Sequence, residues 1–298
     1  MSGPGACLPA ELTAIDRQSL GEFEVLSRAA LQDAGLLIPP EQAPMLFARV
    51  SKRLRALGIS ERARYCELIE GPEGRDERRN LINALTTNVT GFFREAHHFD
   101  LLAQDILPGL AAHARAGGRV RLWSAGCSSG PEPYSIAMVV LEAVPEAEEL
   151  DIRILATDIN PQVLQVARAG LFSGADLARV PAWRRRRFFD RLPGTRSGGD
   201  TYRIRPCLAN LVSFRELNLH APWPMRNGFD VIFCRNVMIY FDRDTRNTLW
   251  SRFRAALVPN GHLFVGHSER LNRSAATDFA SVGTTTYRRL PASDGGSA

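Results

Sequence analysis

The spacing of apolar residues changes part way along this 298-residue chain. Between about residues 15 and 85, apolar positions recur every three or four residues in four segments: GEFEVLSRAALQDAG, MLFARVSKRLRALG, SERARYCELIEG and DERRNLINAL. This period is that of amphipathic helices, each of which buries one face. The pattern therefore predicts a small, entirely helical N-terminal domain over residues 15–85.

After residue 119, short apolar runs typical of buried strands alternate with helical segments. The strand-like runs are VRLWSAG, DIRILATD, FDVIFC and HLFVGHS, and the helical ones are YSIAMVVLEAV, PQVLQVARAG and RNTLWSRFRAAL. Strands that alternate with helices form a mostly parallel sheet that helices cover on both faces. We therefore expect a doubly wound, Rossmann-like α/β domain over residues 86–298.

The alternation of strands and helices is interrupted between about residues 172 and 212. This stretch contains the basic segment AWRRRRFFDR, the glycine-rich turn LPGTRSGGD and the alternating run TYRIR. A glycine-containing turn next to a run of alternating polar and apolar residues is typical of a β-hairpin. We predict an antiparallel β subdomain inserted into the α/β domain.

Composition favours a globular protein of the cytoplasm. Hydrophobic residues make up 45% of the chain, which is enough to form a buried core. No window reaches about 18 consecutive apolar residues, and the N-terminus lacks the pattern of a signal peptide. The five cysteines are scattered without CxxC spacing, which argues against disulfides and a zinc site. We expect no membrane insertion and no bound metal.

The net charge of +5 comes almost entirely from arginine, because Lys52 is the only lysine. Arginine favours bidentate contacts with carboxylates or phosphates. The charge therefore favours an acidic partner, but it does not select between protein and nucleic acid.

Two loops that follow predicted strands have the composition of a ligand site. In WSAGCSSGPEPYS, Gly126 and Gly130 allow the backbone to approach a ligand before a helix that begins near Pro133. The spacing is GxxxG, and the dinucleotide fingerprint GxGxxG is absent. In DIRILATDINP the strand ends at Asp158, where nucleoside-binding folds accept hydrogen bonds from ribose hydroxyls. The sequence therefore predicts a nucleoside ligand without a pyrophosphate.

Five longer motifs are similar to those of one enzyme family. TTNVTGFFREAHHF, SSGPEPYSIAM, ATDIN, FDVIFCRNVMIYFDR and GHLFVGHSE follow one another in the order found in the CheR-type chemotaxis receptor methyltransferases. The resemblance runs from about residue 20 to 288 and includes RLRALG in the helical segment. Members of this family transfer the methyl group of S-adenosylmethionine to glutamate side chains of methyl-accepting chemoreceptors. The products are glutamate methyl esters and S-adenosylhomocysteine.

The resemblance implies an architecture and a partner. It implies an N-terminal helical domain that recognises the receptor, and a doubly wound methyltransferase domain that carries the inserted β subdomain. The partner implied is the helical cytoplasmic region of a chemoreceptor. We expect a monomer that binds no nucleic acid.

The resemblance also implies which residues surround the cofactor. The positions that match are Asn88, Thr90, Arg94, Glu132, Asp158, Asn218, Leu219, Asn236 and Val237. Chemistry supports several of them, because the Asp158 carboxylate suits the ribose diol and Glu132 is an acceptor for the cofactor's cationic end.

For catalysis, the resemblance and the chemistry point to Arg94 and Tyr240. A glutamate side chain in water has a pKa of ~4.3, so the attacking carboxylate is already ionised at neutral pH and needs no general base. The reaction instead requires alignment of the two reacting groups. We expect Arg94 to hold a carboxylate, the Tyr240 hydroxyl to orient the acceptor, and Phe92 and Phe93 to exclude water and fix the loop.

A third set of residues is predicted to bind the receptor. In the segment MLFARVSKRLRALG, helical spacing gathers the apolar residues Leu46, Phe47, Val50, Leu54 and Leu57 on one side, and the basic residues Arg49, Lys52 and Arg53 on the other. We expect the basic side to face solvent and to attract the glutamate-rich receptor helices. The alternative is an ordinary solvated helix face.

Other functions stay open at this stage. The arginine excess also permits a methyltransferase of RNA or of a small molecule. The run Arg184–Arg187 beside Trp183 could contact RNA, although no RNA-binding module is recognisable. A protein that binds the cofactor without activity is a further alternative. The turn LPGTRSGGD looks longer than the form that binds a receptor's C-terminal pentapeptide, so binding of such a tether also stays open.

Overall fold

The computed structural model describes residues 17–192, 199–225, 228–271 and 277–291. The chain divides into two compact units. The first contains the described residues up to Thr87 together with Tyr240–Asp242, and the second contains Asn88–Ile239 and the described residues from Arg243 onwards.

The first unit is helical, as its periodicity predicts. Its α-helices in the described residues are α1 Arg17–Ala34, α2 Ala43–Leu57, α3 Arg62–Glu70 and α4 Arg75–Leu85. Each contributes its apolar face to a shared core, which includes Leu26, Leu46, Tyr65 and Leu81. Leu57 departs from the expectation, because it lies at the C-terminal end of α2 and is 42% exposed.

A buried carboxylate connects three of these helices. Glu77 on α4 accepts hydrogen bonds from Nε of Arg53 on α2 at 2.8 Å and from Nη2 of Arg53 at 2.7 Å. Its Oε1 also accepts one from the Tyr65 hydroxyl on α3 at 2.8 Å. Burial acts to raise the pKa of Glu77, but the hydrogen bonds from Arg53 and Tyr65 outweigh burial and the pKa is lowered.

The expectation that the basic side of α2 faces solvent is wrong for two of its three residues. Arg53 is half-buried in its pair with Glu77. Arg49 is also half-buried, and it donates to the Leu85 carbonyl oxygen and, at 3.1 Å, to the Thr87 hydroxyl. Only Lys52 of the three is exposed. Arginine can cover apolar surface with its stem and still reach acceptors on a neighbouring helix, so a helical projection does not show which basic residues remain free.

The second unit contains a mixed sheet covered by helices. Its strands are β1 Val120–Ala125, β2 Ile152–Asp158, β3 Leu171–Ser173, β4 Phe189–Leu192, β5 Thr201–Ile204, β6 Val212–Glu216, β7 Phe229–Cys234, β8 Leu257–Val265, β9 Phe279–Gly283 and β10 Thr286–Arg289. Its α-helices are α5 His97–Leu101, α6 Leu107–Arg115, α7 Pro131–Ala143, α8 Pro161–Ala169, α9 Ala182–Phe188, α10 Pro206–Leu211 and α11 Arg243–Ala256, and a π-helical turn, Leu102–Ile106, joins α5 to α6.

The strand order of the large sheet is β6-β2-β1-β7-β8-β10-β9. The first five strands pair in parallel, whereas β10 pairs antiparallel to both β8 and β9. From β1 the chain moves outwards to β2 and β6, and it then returns to the other side of β1 as β7 and β8. This is the doubly wound topology that the sequence predicts. The loops after β1 and β7 therefore flank a switch point, where α/β sheets bind their ligands.

The inserted subdomain is also confirmed. Strands β3, β5 and β4 form a small antiparallel sheet in that order. The basic segment forms α9, where Arg184 makes a bidentate pair with Glu142 on α7 at 2.8 and 2.7 Å, and Arg187 donates to the Leu141 carbonyl oxygen at 3.0 Å. Residues 193–198 of the glycine-rich turn lie outside the described residues.

Among the helices of the described ranges, none combines the length and the apolar character needed to cross a bilayer.

The Glu77 cluster gives a stability prediction. Arg53→Ala leaves the Glu77 carboxylate, whose side chain is 8% exposed, without two charge-assisted hydrogen bonds. We expect the free energy of unfolding to fall by about 1.5–3 kcal/mol. Lys52→Ala on the exposed side of the same helix should change it by less than about 0.5 kcal/mol. Chemical denaturation of both variants checks this, and equal loss of stability in the two would contradict the structural role of Arg53.

Candidate active site

The loop after β1 depends on two glycines in left-handed conformations. Gly126 has a φ of 84° and Gly130 a φ of 99°, which other residues adopt only with strain. A Cβ atom on Gly126 would lie 2.4 Å from Cγ2 of Val237, which follows β7. The glycine therefore allows the loops after β1 and β7 to contact each other across the switch point.

Asp158 occupies the last position of β2 and is buried. Its Oδ2 accepts from the Ser128 backbone N–H at 2.8 Å, and its Oδ1 accepts from the Asn160 N–H at 3.0 Å. Burial raises the pKa of Asp158, and these backbone hydrogen bonds oppose the rise. Each carboxylate oxygen retains a further acceptor site, so the side chain can still receive hydrogen bonds from a diol. Asn160 caps α8, since its Oδ1 accepts from the Gln162 N–H at 2.9 Å.

Glu132 lies in the first turn of α7 and is held at both carboxylate oxygens. Oε1 accepts from the Ser124 hydroxyl at 2.6 Å, and Oε2 accepts from Nε of Arg235 at 2.8 Å. Both members of the ion pair are buried. Pairing with Arg235 compensates the negative charge of Glu132, so the carboxylate is fixed in one orientation.

Arg235 is a buried residue that the sequence reasoning missed. Besides Glu132, its guanidinium donates from Nη1 to Nδ1 of His98 at 3.0 Å and lies 4.0 Å from Oε2 of Glu95. Arginine is always a donor, so Nδ1 of His98 accepts and the ring proton is on Nε2. Nε2 lies 3.1 Å from the Thr284 carbonyl oxygen, which accepts that proton. An arginine directly after a buried strand must find partners, and this requirement is the signal that could have identified it.

The paired phenylalanines of the TGFFRE segment are core residues. Phe92 is fully buried and packs edge-on against Phe172 of β3, with ring centroids 4.9 Å apart. Phe93 packs against Phe99 at 5.3 Å, and the Arg184 guanidinium lies 4.3 Å from its ring centroid. Phe92 and Phe93 are 0% and 9% exposed, so they anchor this loop from inside the unit. This burial agrees with the expectation that they fix the loop. A lid over a site would instead require exposed aromatic faces.

Arg94 lies between two residues with strained backbones. Phe93 has a φ of 52° and Glu95 a φ of 57°, although neither is glycine. Such conformations cost on the order of 1–3 kcal/mol each and are concentrated at functional sites. Arg94 is half-buried, and its Nη1 donates to the Val89 carbonyl oxygen at 3.2 Å. In the part of the chain that the structure describes, no carboxylate pairs with it.

Three other residues predicted to bind the cofactor lie near Asp158 at the same edge of the sheet. The Asn88 carbonyl oxygen accepts from the Ser128 hydroxyl at 3.0 Å, which joins this segment to the loop that contacts Asp158. Asn218 and Leu219 follow β6, directly after Leu217, whose N–H donates to the Asp158 carbonyl oxygen at 2.9 Å.

Two predicted cofactor residues lie in the loop after β7, where the backbone N–H groups of Asn236 and Val237 each donate to Glu269 at 2.9 Å. Thr90 is half-buried in the TGFFRE segment. Tyr240 belongs to the helical unit, where its carbonyl oxygen accepts from the Leu37 N–H at 2.9 Å. The structure thus links Asn88, Asp158, Val237 and the β1 loop through direct contacts, and it places Tyr240 in the other compact unit.

Comparisons with known proteins match both units. Residues 88–288 match the family model described as CheR methyltransferase, SAM binding domain, and residues 21–86 match the CheR methyltransferase, all-alpha domain. The chain is 45% identical over 256 residues to a probable chemotaxis protein methyltransferase of Rhizobium etli, which covers 86% of this chain and 95% of the relative. It is 39% identical over 267 residues to the chemotaxis protein methyltransferase of Salmonella typhimurium, with 89% of this chain and 88% of the relative covered.

The buried histidine generates a prediction for acid stability. Burial, followed by the charge of Arg235, lowers the pKa of His98 to about 4. An unfolded histidine titrates near 6.5, so the unfolded state binds more protons below that pH. Above about pH 6.5, His98 is neutral in both states and does not reduce the free energy of unfolding. As the pH falls from 6.5 towards 4, the free energy of unfolding should decrease by on the order of 3 kcal/mol.

His98→Gln removes the titrating group and should flatten the pH dependence of the unfolding free energy between pH 6.5 and 4. His97→Gln, at the exposed neighbouring position, is the matched control and should keep the wild-type slope. Denaturation curves across this range check the prediction. An unchanged slope in His98→Gln would show that other groups cause the acid dependence.

Proposed function

This chain belongs to the CheR methyltransferase family, and on that premise we propose that its methyl acceptors are glutamate side chains of chemoreceptors. Membership of the family makes it an S-adenosylmethionine-dependent methyltransferase of chemotaxis. The observation that carries the proposal is the family match over residues 88–288, which contain the glycine loop and the acidic end of β2.

The residues at the edge of the sheet fit the cofactor. A nucleoside requires an acceptor for its ribose hydroxyls, and buried Asp158 retains acceptor sites at the end of β2. We propose that Asp158 holds the ribose and that Gly126 permits the close approach of the backbone. In the same proposal, the remaining cofactor contacts come from Asn88, Thr90, Arg94, Glu132, Asn218, Leu219, Asn236 and Val237.

We propose that catalysis consists mainly of positioning. S-adenosylmethionine supplies an electrophilic methyl group on a positively charged sulfur. An ionised glutamate attacks without releasing a proton, so this chain needs no general base. Arg94 is the proposed positioning group for a carboxylate, because its guanidinium is a fixed fork of donors and its only hydrogen bond found among the described residues is to the Val89 carbonyl oxygen. Tyr240 is proposed to orient the acceptor through its hydroxyl.

We propose that the helical unit recognises glutamate-rich cytoplasmic helices of the receptor. The basic set that the sequence suggests is Arg49, Lys52 and Arg53, but two of them make contacts within the unit. On α2, exposed positive charge is provided by Lys52 and Arg55. We assign electrostatic attraction of the receptor to these two residues, and we propose a cytoplasmic monomer.

The reaction is tested by incubating the protein with cofactor carrying a labelled methyl group and with membranes that contain a candidate receptor. A glutamate methyl ester is hydrolysed by base, so we expect the label to enter the receptor and to be released as methanol at alkaline pH. Label that stays attached under alkali, or that enters RNA, would contradict the proposed acceptor.

Asp158→Ala is expected to weaken cofactor binding. The change removes an acceptor whose charge-assisted hydrogen bonds to the ribose are together worth about 1.5–3 kcal/mol, so Kd should rise roughly tenfold to a hundredfold. Calorimetry with S-adenosylmethionine measures the affinity, and circular dichroism verifies folding. An unchanged Kd would remove Asp158 from the site.

Arg94→Ala is expected to lower kcat strongly while the protein remains folded, because the side chain lies half-buried on a loop. Arg94→Lys should restore little activity, since an ammonium cannot form a bidentate contact. Turnover of the two variants with the receptor checks this. Full activity of the lysine variant, with normal cofactor affinity, would argue against a positioning role.

The double variant Lys52→Glu/Arg55→Glu is expected to raise KM for the receptor and to leave cofactor binding unchanged. Salt screens exposed charges within about 8–10 Å, so the wild-type reaction should lose more activity than the variant as ionic strength rises. The matched control is Arg179→Glu/Arg186→Glu, two exposed arginines of the second unit. Equal KM values for the double variant and the wild type at low salt would show that this face only solubilises the protein.

A further inference from the structure

A buried carboxylate lies close after β8 and is used by neither the cofactor set nor the catalytic set. Glu269 is 5% exposed. It accepts four backbone hydrogen bonds, which are Oε1 from Val237 N at 2.9 Å, Oε1 from Ile239 N at 3.2 Å, Oε2 from Asn236 N at 2.9 Å and Oε2 from Gly266 N at 2.6 Å. One side chain therefore connects the loop after β7 to the loop after β8.

The donors around Glu269 match an ionised carboxylate. Each carboxylate oxygen accepts hydrogen bonds from two backbone N–H groups. A protonated acid or an amide at this position would direct its own O–H or N–H donor towards these N–H groups. Within the described residues no cation forms an ion pair with Glu269, so the backbone amides alone compensate its charge. Burial raises its pKa, and the hydrogen bonds from Gly266 and Asn236 oppose that rise.

The backbone around Glu269 is strained and closely packed. Asn236 has a φ of 58°, which is strained for a residue other than glycine. A Cβ atom on Gly266 would lie 2.6 Å from Nδ2 of Asn236 and 2.9 Å from Oε2 of Glu269. The next residue, Val237, packs against Gly126 of the β1 loop. A shift of this backbone would therefore alter both loops that flank the switch point.

We propose that Glu269 is a positioning residue that holds the Asn236–Val237 backbone in the conformation that receives the cofactor. The inference rests on the proposed assignment of Asn236 and Val237 to the cofactor site. Glu269 acts through the backbone of these two residues and does not touch the cofactor itself. Its removal should impair binding of every ligand of that site to the same extent, whatever charge the ligand carries.

Glu269→Gln is the direct test. Whichever way the new amide is oriented, its NH2 group faces two backbone N–H groups, and the loop must move. A displaced loop loses the hydrogen bonds that its backbone makes to the ligand, so we expect Kd for S-adenosylmethionine to rise roughly tenfold. S-adenosylhomocysteine lacks the sulfonium charge, and its Kd should rise by the same factor.

Glu142→Gln is the matched control. Glu142 is a half-buried carboxylate of the same unit, and it makes a bidentate pair with Arg184. This variant loses comparable hydrogen bonds without touching the loop after β7. We expect a lower unfolding midpoint with wild-type Kd, which separates lost stability from lost positioning.

The outcomes distinguish this inference from the site assignment. Folded Glu269→Gln with wild-type affinity overturns the role of Glu269, and a weakened Kd for Asp158→Ala in the same experiment would show that the site itself stands. A loss of affinity confined to S-adenosylmethionine also overturns it, since that result indicates a direct effect of charge.

Gly266→Ala keeps the proposal testable if Glu269→Gln does not fold. It retains the carboxylate and crowds Asn236, so we expect a folded protein with raised Kd for both ligands. Wild-type affinity in this variant contradicts the proposal. If neither variant folds, the contact between these two loops is required for folding, and a role of Glu269 limited to positioning the cofactor loop is wrong.

Discussion

A buried carboxylate remains ionised only where donors or cations surround it, and the second unit buries Glu132, Asp158 and Glu269 at the carboxyl edge of one sheet. Each is compensated differently. Glu132 pairs with Arg235, Asp158 accepts two backbone N–H groups, and Glu269 accepts four. These requirements fix the loops after the parallel strands, because every donor must be held where a carboxylate oxygen needs it. The same donors give the edge of the sheet a defined shape before any ligand binds.

Strain and aromatic packing complete this arrangement. The strained residues Phe93, Ser128 and Asn236 lie in three loops around the proposed site, and each loop is held by contacts that offset the strain. Phe92 and Phe93 anchor the first loop in the core, Asp158 accepts from the second, and Glu269 accepts from the third. These contacts hold in place the backbone that carries Arg94 and the proposed cofactor contacts, which suits a reaction that depends on alignment.

The spacing of apolar and polar residues predicted those features of the fold that short stretches of sequence determine. The helical period, the alternation of strands and helices and the hairpin insertion all follow from sequence near each element. Asp158 could be predicted because a strand visibly ends there and a capping Asn160 follows. Arg235, His98 and Glu269 could not, since their roles depend on partners many residues away, as in the pairing of Arg235 with Glu132. The basic side of α2 was misjudged for the same reason, because Arg53 finds Glu77 on another helix.

The central claim is that the cofactor binds at the switch point between the loops after β1 and β7, with its ribose on Asp158. A crystal structure of the protein with S-adenosylhomocysteine tests this most directly. The account predicts both ribose hydroxyls within hydrogen-bonding distance of the Asp158 carboxylate, and the nucleoside against Gly126 and the Asn236–Val237 backbone. A ligand bound at another edge of the sheet, or a ribose that does not reach Asp158, would contradict it.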